Sequence, residues 1–223
     1  MSILGNRLNT VTDLLKKCEN NHLFADIGSD HAFLAIEVLR QGLCKKAIAA
    51  DINEMPLLKG KENAQNFGVD IEFILSDGFD NLEGLGITSA AICGMGGELI
   101  AKIVLRSETA KNALLILQPM SAQDELRKAL WDNGFVIHKE VFVYDSGKPY
   151  TVMQVTFTGE NTEYSYLDLF LGKERIVTDE FKKYCQKVLQ SAIKRRLGII
   201  ARGESTDDID NLIEYCQTQT TNF

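Results

Sequence analysis

The sequence has no excess of positive charge and few prolines, and it lacks both long apolar runs and paired cysteines. It contains 24 lysines and arginines against 31 aspartates and glutamates, a net charge of -7, and only three prolines among 223 residues. Hydrophobic residues make up 45% and charged residues 25% of the chain. This composition is typical of a soluble globular protein and excludes disordered, collagen-like and disulfide-framework chains.

No apolar run reaches the roughly 18 residues that a membrane-spanning helix needs. The first ten residues lack the basic and apolar regions of a secretory signal. No two of the cysteines form a C-x-x-C pair, which argues against a zinc site and for reduced thiols in a cytoplasmic protein without a metal. The five are Cys18, Cys44, Cys93, Cys185 and Cys216.

Short apolar runs that end at turn residues alternate with segments of helical periodicity. The runs nearly lack polar alternation, as expected of parallel strands buried on both faces. The predicted strands are 23–27, 47–50, 71–75, 90–93 and 113–117. The predicted helices are 9–18, 32–41, 57–66, 98–105 and 122–131, the last beginning near Ser121 and Asp124. This alternation predicts an α/β fold with a doubly wound parallel sheet.

Two further β-rich runs, 135–144 and 150–158, are separated by only five residues. Five residues suffice for a hairpin but not for a helical crossover, so these strands are expected to be antiparallel. Five parallel strands followed by such a hairpin are typical of the Rossmann-like, seven-stranded sheet of class I methyltransferases. A dinucleotide-dependent dehydrogenase would continue with helical crossovers.

After residue 158 the pattern becomes helical. Apolar residues at spacings of three and four predict one helix over 178–201 and a second through Cys216. We therefore expect two domains, a cofactor-binding sheet domain over residues 1–159 and a coiled-coil-like helical hairpin over residues 160–223. The hairpin is too small for an independent core and is expected to dock on the sheet domain.

Ligands of open parallel sheets bind beyond the carboxyl ends of the strands. The first predicted strand ends with Asp26, Gly28, Asp30 and His31. One glycine and two carboxylates fit a cationic ligand without phosphate, such as S-adenosylmethionine, better than a pyrophosphate. Asp26 or Asp30 would face the methionine end. His31 could be a base, a ligand or a helix-start residue.

The next strand ends offer further candidates for cofactor contacts. Asp51, followed by Ile52, lies 23 residues after Gly28, where an acidic residue can bind ribose hydroxyls or cap a helix. Asp77 and Gly78 could accept the adenine amino group or form a simple turn. After the fourth predicted strand, Gly94 and Met95 begin a glycine-rich segment that extends to residue 97. It could approach a large flat ligand or make a tight turn, with Gln118 and Pro119 lining the same cleft.

Taken together, the D-I-G-S-D-H run at 26–31, the strand end at Asp51, the S-D-G of 76–78, the G-M-G-G of 94–97 and the L-Q-P of 117–119 resemble one family. It is the bacterial tRNA adenine-22 N1-methyltransferase family, and the resemblance extends over the whole chain, including N-R-L at 6–8. Met55 and Phe33 depart from the glycine and tyrosine common in the family, which affects fine contacts only.

The resemblance implies methyl transfer from S-adenosylmethionine to N1 of an adenine in the D-arm of tRNA. Asp30 is the first candidate for a carboxylate facing the target base, and His31 is the second. The alternatives are a methyltransferase of a small molecule or another RNA, a nucleotide-dependent oxidoreductase, and a non-catalytic RNA- or partner-binding module. We expect a monomer.

The distribution of charge identifies a candidate RNA contact. Residues 173–202 include nine basic and three acidic residues, whereas residues 203–223 include five acidic and no basic residues. Clustered cations bind phosphates, although a solvated helix face has the same composition. The predicted RNA-binding residues are Arg7, Lys182, Lys187, Lys194, Arg195 and Arg196.

Overall fold

A computed structural model describes residues 3–16 and 21–221, in which strands and helices alternate until a helical C-terminal region. The strands are β1 Leu23–Ile27, β2 Lys46–Asp51, β3 Glu72–Leu75, β4 Ser89–Gly96, β5 Leu114–Ser121, β6 Phe135–Asp145 and β7 Lys148–Phe157. The helices are α1 Asn6–Leu15, α2 Phe33–Arg40, α3 Glu54–Phe67, α4 Gly97–Leu105, α5 Glu108–Asn112, α6 Gln123–Asp132, α7 Tyr166–Leu171, α8 Asp179–Ala201 and α9 Asp207–Thr220.

All seven strands belong to one sheet with the order β3-β2-β1-β4-β5-β7-β6. β1 to β5 pair in parallel, and β7 runs antiparallel to both of its neighbours. The predicted Rossmann-like sheet with its terminal antiparallel hairpin is therefore confirmed. Strand order reverses between β1 and β4, which is where a sheet of this type binds its ligand.

The carboxyl ends of β4 and β5 extend beyond the predicted limits. The two strands stay paired through Met95↔Pro119 and Gly96↔Ser121, with irregularities of register around Met95. The glycine-rich segment, for which a tight turn was one of two alternatives, is thus largely a bulged strand end, with only Gly97 already in α4. A bulge bends a strand and redirects its side chains, which is common next to active sites.

Helix boundaries show where the sequence patterns were insufficient. The predicted helix over 122–131, with Asp124 in its first turn, agrees with α6 to within one residue. The predicted role of Ser121 at its start is wrong, because Ser121 ends β5 and Ala122 is the N-cap, with φ 52° and no capping side chain. α1 begins at Asn6 rather than residue 9, and the predicted extension over 17–18 lies outside the described residues. The short helices α5 and α7 were not predicted.

Apolar clusters cover both faces of the sheet. Helices α1 to α3 pack on one face through residues such as Val11, Ile36 and Ala64, and α4 and α6 pack on the other through Val104 and Leu130. All five side chains are buried. Burial on both faces explains why the strands read as nearly continuous apolar runs.

The C-terminal helices form a third apolar cluster and dock on the sheet. α8 and α9 bury residues such as Tyr184 and Leu212 between them. Phe142 of β6 joins this cluster, with its ring centroid 4.9 Å from those of Phe181 and Tyr184. The predicted helical hairpin and its docking are confirmed.

A buried ion pair connects the sheet to the C-terminal helices. Arg127 of α6 and Glu140 of β6 are 0% and 3% exposed, and Arg127 Nη2 lies 2.5 Å from Glu140 Oε1. The Arg127 guanidinium also donates to the carbonyl of Leu169 in α7 at 2.5 Å and to Tyr184 Oη in α8 at 3.4 Å. Thr151 of β7 donates to the same carboxylate. One side chain thus contacts the sheet and both neighbouring helices.

Arg127→Met is expected to lower the free energy of unfolding by about 3–5 kcal/mol, because it leaves the Glu140 charge buried without a partner. Denaturant unfolding followed by circular dichroism measures the change. Arg202→Met is the control, because its ion pair with Glu204 is 59% and 55% exposed and should matter little. Equal free energies of unfolding for the two variants would contradict the proposed contribution of the buried pair to stability.

Gly97 begins α4 where that helix crosses the β5–α6 connection. A Cβ at Gly97 would lie 2.1 Å from the carbonyl oxygen of Ala122, a backbone atom that cannot rotate away. The same atom at Gly96 would lie 3.4 Å from Ser121 Oγ, an ordinary contact. Close packing between protein segments therefore accounts for Gly97 without any ligand.

Gly97→Ala is expected to lower the free energy of unfolding by about 1–3 kcal/mol through overpacking. Helix propensity alone predicts the opposite sign, since alanine is favoured over glycine in a helix. Thermal unfolding of Gly97→Ala beside Gly96→Ala distinguishes the two effects. A Gly97→Ala protein as stable as the Gly96→Ala protein would refute the steric explanation.

Candidate functional site

A cleft of about 620 Å³ opens beyond the carboxyl ends of β1, β2 and β4, at the point where strand order reverses. Its size is typical of small-molecule sites. All ten residues predicted as cofactor or catalytic contacts line this cleft, whereas Gln118 and Pro119, which were also expected there, do not. The ten are Asp26, Gly28, Asp30, His31, Asp51, Ile52, Asp77, Gly78, Gly94 and Met95.

The loop after β1 forms the floor of the cleft in a tightly wound conformation. Gly28, Asp30 and Ala32 have φ values of 71, 50 and 59°, all in the left-handed region. The N–H groups of Gly28 and Ser29 both donate to the carbonyl of Ala50 in β2, at 2.8 and 3.0 Å. Left-handed alanine is uncommon, and such strain concentrates at functional sites.

Asp26 is a carboxylate buried at the bottom of the cleft, only 3% exposed. One oxygen accepts the N–H of Ala35 in the first turn of α2 at 3.3 Å. Burial raises its pKa to about 7, and repulsion from Asp51 and Asp30 adds to the rise although the Ala35 bond opposes it. A cation bound beside this carboxyl group would stabilise its charged form, because an opposite charge lowers the pKa of a carboxyl group.

Asp51 joins two loops of the cleft. Its Oδ1 accepts the N–H of Asn53, the N-cap of α3, at 2.9 Å, and its Oδ2 faces the N–H of Asp30 at 3.4 Å. Asp51 does not itself cap α3, because the N-cap is Asn53; its carboxylate instead holds the backbone just before that helix. A carboxylate has about four lone-pair positions, so capacity remains for ligand hydroxyls. Ile52 beside it is 62% exposed.

Asp77 is engaged by a protein cation. Arg106 Nη2 lies 2.8 Å from Asp77 Oδ1 and 2.6 Å from the Asp77 carbonyl. Gly78 has φ 61°, and a Cβ there would lie 2.8 Å from Ile103 Cγ2. Turn geometry and packing therefore explain this pair of residues without a ligand, while both still line the cleft.

Arg7 enters the cleft from α1. Its guanidinium hydrogen-bonds Gln118 Oε1, which also accepts the N–H of Gly94 at 3.1 Å, and it lies 5.6 Å from the Tyr150 ring centroid. The structure thus places this predicted RNA contact inside the cofactor cleft. Gln118 itself is 0% exposed and supports Arg7 from below.

Asp30 and His31 lie at the solvent side of the cleft. Their side chains are 73% and 47% exposed, and His31 Nε2 is 3.7 Å from Asp30 Oδ1. The His31 ring meets Phe33 edge to face, with 6.1 Å between the centroids. Both polar side chains are accessible to a second substrate that approaches a bound cofactor.

Several cleft residues escaped the sequence reasoning. Ser29 lines the cleft, and its buried Oγ has no hydrogen-bond partner. Leu99 lines the cleft and is 49% exposed. Cys93 also lines it, but burial raises the pKa of its thiol, so it stays a neutral side chain. Ser29 falls within the D-I-G-S-D-H run, and this position was the one recognisable signal.

The candidate RNA-binding residues of α8 do not form one uniform basic face. Arg195 pairs with Asp124 at 3.0 Å, Arg196 pairs with Asp210 of α9, and Lys182 lies 3.8 Å from Asp179. Lys194 is exposed, whereas Lys187 is partly buried in a second, smaller groove. Much of the positive charge counted in the sequence is therefore compensated locally.

Among residues 3–16 and 21–221, no cluster of three His, Cys, Asp or Glu side chains is arranged to hold a metal ion. Within the same ranges, no helix is both long and apolar enough to cross a membrane.

The chain is similar to known methyltransferases over most of its length. Residues 4–153 match the family described as "Methyltransferase domain". The tRNA (adenine(22)-N(1))-methyltransferase of Bacillus subtilis is 31% identical over 176 residues, which covers 76% of this chain and 71% of the relative.

Solved structures agree with this likeness. A Streptococcus pneumoniae protein in complex with S-adenosyl-L-methionine is 28% identical, with a TM-score of 0.81 over 98% of this chain and 100% of that protein. TrmK of M. capricolum in complex with S-adenosyl-homocysteine shares the fold, with 23% identity and a TM-score of 0.78 over 98% of both chains. Fold, cleft and relatives together establish that the chain belongs to the tRNA (adenine(22)-N(1))-methyltransferase family.

Proposed function

We propose that the protein transfers a methyl group from S-adenosylmethionine to N1 of adenine 22 in the D-arm of tRNA. The observation that carries the proposal is the gathering of the buried Asp26, Asp51 and Arg7 around one cleft at the switch point of a methyltransferase sheet. The choice of substrate follows the Bacillus subtilis relative that is named for this reaction.

The cleft fits the charged groups of S-adenosylmethionine. Its amino group would neutralise Asp26, whose buried carboxyl has no cationic partner among the described residues. The partnerless Oγ of Ser29 would gain a hydrogen bond from the same ligand. Buried polar groups without partners are costly, so both observations favour a polar, cationic occupant.

We assign Arg7 to the methionine carboxylate rather than to RNA. Arg7 is the one arginine or lysine among the residues that line the cleft. Its guanidinium is already oriented by Gln118 and Tyr150, which reduces the entropy lost on binding. Asp51 and Ile52 would hold the ribose, while Asp77 and Gly78 would border the adenine and Gly94 and Met95 the sulfonium.

The chemistry requires little proton transfer. Bound S-adenosylmethionine supplies an electrophilic methyl group. Adenine N1 attacks with its own lone pair as the carbon–sulfur bond breaks, so positive charge moves onto the adenine ring. The Asp30 carboxylate stabilises this developing charge at the solvent side of the cleft, with His31 beside it. The main contribution is positioning of the base.

The target base must leave its stacked position in the RNA, at a cost of a few kcal/mol. Phe33 and Leu99 line the cleft and are 38% and 49% exposed. Apolar and aromatic side chains in this position can receive an extruded base by contact with its flat face. We therefore place the adenine between these residues and Asp30.

We further propose the division into a cofactor-binding domain, 1–159, and a helical domain, 160–223, that contributes to RNA binding through Lys182, Lys187, Lys194, Arg195 and Arg196. The net charge of the stretch 173–202 supports this division of labour. We also propose that the protein is a monomer.

Incubation with S-adenosylmethionine and unmodified tRNA is expected to yield 1-methyladenosine, identified by nucleoside mass spectrometry and located at position 22 by mass spectrometry of ribonuclease fragments. Asp30→Asn is expected to reduce turnover about 10- to 100-fold while cofactor binding by calorimetry is unchanged, because it removes a stabilising charge and keeps the shape. Asp80→Asn is the control, since Asp80 also carries an exposed charge but does not line the cleft.

Absence of methylation in the wild type would refute the proposed reaction. Methylation of a small molecule alone would favour the alternative substrate class. Normal turnover of Asp30→Asn would remove Asp30 from the reaction.

The raised pKa of Asp26 makes the cofactor-free protein sensitive to pH. The folded state holds the proton up to about pH 7 and the unfolded chain releases it near 3.8, so stability falls as pH rises between these values. The difference corresponds to roughly 4 kcal/mol. Asp26→Asn should show a weaker decline of melting temperature from pH 5 to pH 8, and also weaker binding of S-adenosylmethionine. Parallel pH profiles for variant and wild type would contradict this account.

A further inference from the structure

A second groove, of about 230 Å³, separates the β5–α6 connection from helix α8. One wall belongs to the sheet domain and the other to the C-terminal helices. The residues lining it are Met120, Ser121, Ala122, Gln123, Asp124, Phe170, Tyr184, Lys187, Val188, Ser191 and Arg195.

The groove begins one strand away from the cofactor cleft. Met95 of β4 lines the cleft, and its neighbour Gly96 pairs in register with Ser121 of β5, which lines the groove. Adjacent strands are about 4.8 Å apart. Both openings therefore lie at the carboxyl ends of neighbouring strands, β4 and β5.

Lys187 gives the groove an uncompensated cation. Its side chain is partly buried, with the ammonium 5.7 Å from the Tyr184 ring centroid, and no described carboxylate forms an ion pair with it. Burial lowers its pKa, and the nearby charges of Arg127 and Lys148 lower it further. An ammonium in such surroundings gains more from an anionic ligand than an exposed lysine does.

The other charges at the groove are compensated. Arg195 pairs with Asp124 at 3.0 Å and lies 5.1 Å from the Phe170 ring centroid. Arg127, beneath the groove, pairs with the buried Glu140. The unbalanced charge is therefore that of Lys187, and the groove favours an anion.

We propose that this groove binds a phosphate-bearing nucleotide of the RNA substrate next to the target adenosine, with Lys187 as the phosphate ligand. The inference rests on the proposed function, because it takes tRNA as the substrate. The groove uses both parts of the chain, so RNA binding there aligns the helical region with the cleft. Among the five basic candidates of α8, it gives Lys187 the direct phosphate contact at this groove.

Lys187→Met tests the assignment, because methionine keeps the apolar stem that packs on Tyr184 and removes the charge. Lys111→Met is the control, because Lys111 in α5 lies near the amino end of β5, whereas the groove lies at the carboxyl end of that strand. Fluorescence anisotropy with unmodified tRNA over a range of KCl concentrations measures affinity and salt dependence. Calorimetry with S-adenosylmethionine and thermal unfolding complete the comparison.

Lys187→Met is expected to bind tRNA about tenfold more weakly, with the salt slope reduced by about one. Its cofactor affinity should be unchanged and its melting temperature equal to or above that of the wild type, because an uncompensated, partly buried charge is removed. Lys111→Met should behave as wild type. Lys187→Gln provides a second variant in case the methionine protein unfolds.

Wild-type tRNA affinity and salt slope in both Lys187 variants would overturn the inference. A melting temperature raised by inorganic phosphate in the wild type only, with equal tRNA affinity in variant and wild type, would assign the groove to a free anion and also overturn it. If Lys187→Met binds tRNA more weakly but the wild-type protein does not methylate adenine 22, the groove remains a phosphate site for RNA and the proposed function is refuted instead.

Discussion

The buried pair of Arg127 and Glu140 is the interaction on which the arrangement of the molecule depends. It joins α6 to the hairpin strands β6 and β7, and the same guanidinium reaches the backbone of α7 and the hydroxyl of Tyr184 in α8. Burying two charges costs free energy that their attraction barely offsets. The pair instead fixes the geometry of its surroundings, because the N–H groups of a buried, planar guanidinium can be satisfied by acceptors in only a few positions. The C-terminal helices are consequently held in a fixed position against α6 and the β6–β7 hairpin.

The cofactor cleft depends on a second electrostatic constraint, the crowding of Asp26, Asp30 and Asp51. Protein donors satisfy these carboxylates only in part, and burial, with a smaller contribution from repulsion by Asp51 and Asp30, raises the pKa of Asp26 to about 7. These incompletely satisfied carboxylates lower the stability of the cofactor-free protein, and they favour the binding of a cation. Arg7 does not neutralise them, since Gln118 and Tyr150 hold it, and it remains suited to the carboxylate end of the same ligand. Opposite charges at separate positions match a zwitterionic methionine group better than a phosphate.

The acidity of the chain is compatible with an RNA substrate because charge acts locally. Three of the five basic candidates of α8 face carboxylates of this protein, which leaves less free positive charge than the sequence count implies. The groove at Lys187 differs because its walls come from two parts of the chain that the Arg127 pair holds together. Recognition at such a junction requires the native arrangement of both parts, whereas an exposed basic helix would bind phosphates in any orientation.

The parallel strands, the terminal hairpin and the cluster of residues at the strand ends can be predicted from the sequence, because they depend on local periodicity and on the rule that ligands bind where parallel strands end. The ten predicted cofactor and catalytic residues line the cleft for this reason, whereas others, such as Ser29 and Leu99, were not predicted. The sequence did not reveal the start of α6, the partner of Gly97, the position of Arg7 or the compensation of Arg195 and Arg196. The last three depend on residues distant in the chain: Ala122 for Gly97, Gln118 for Arg7, Asp124 and Asp210 for the two arginines. Tertiary structure decided them, because steric and electrostatic contacts act through space and leave no periodic pattern along the chain.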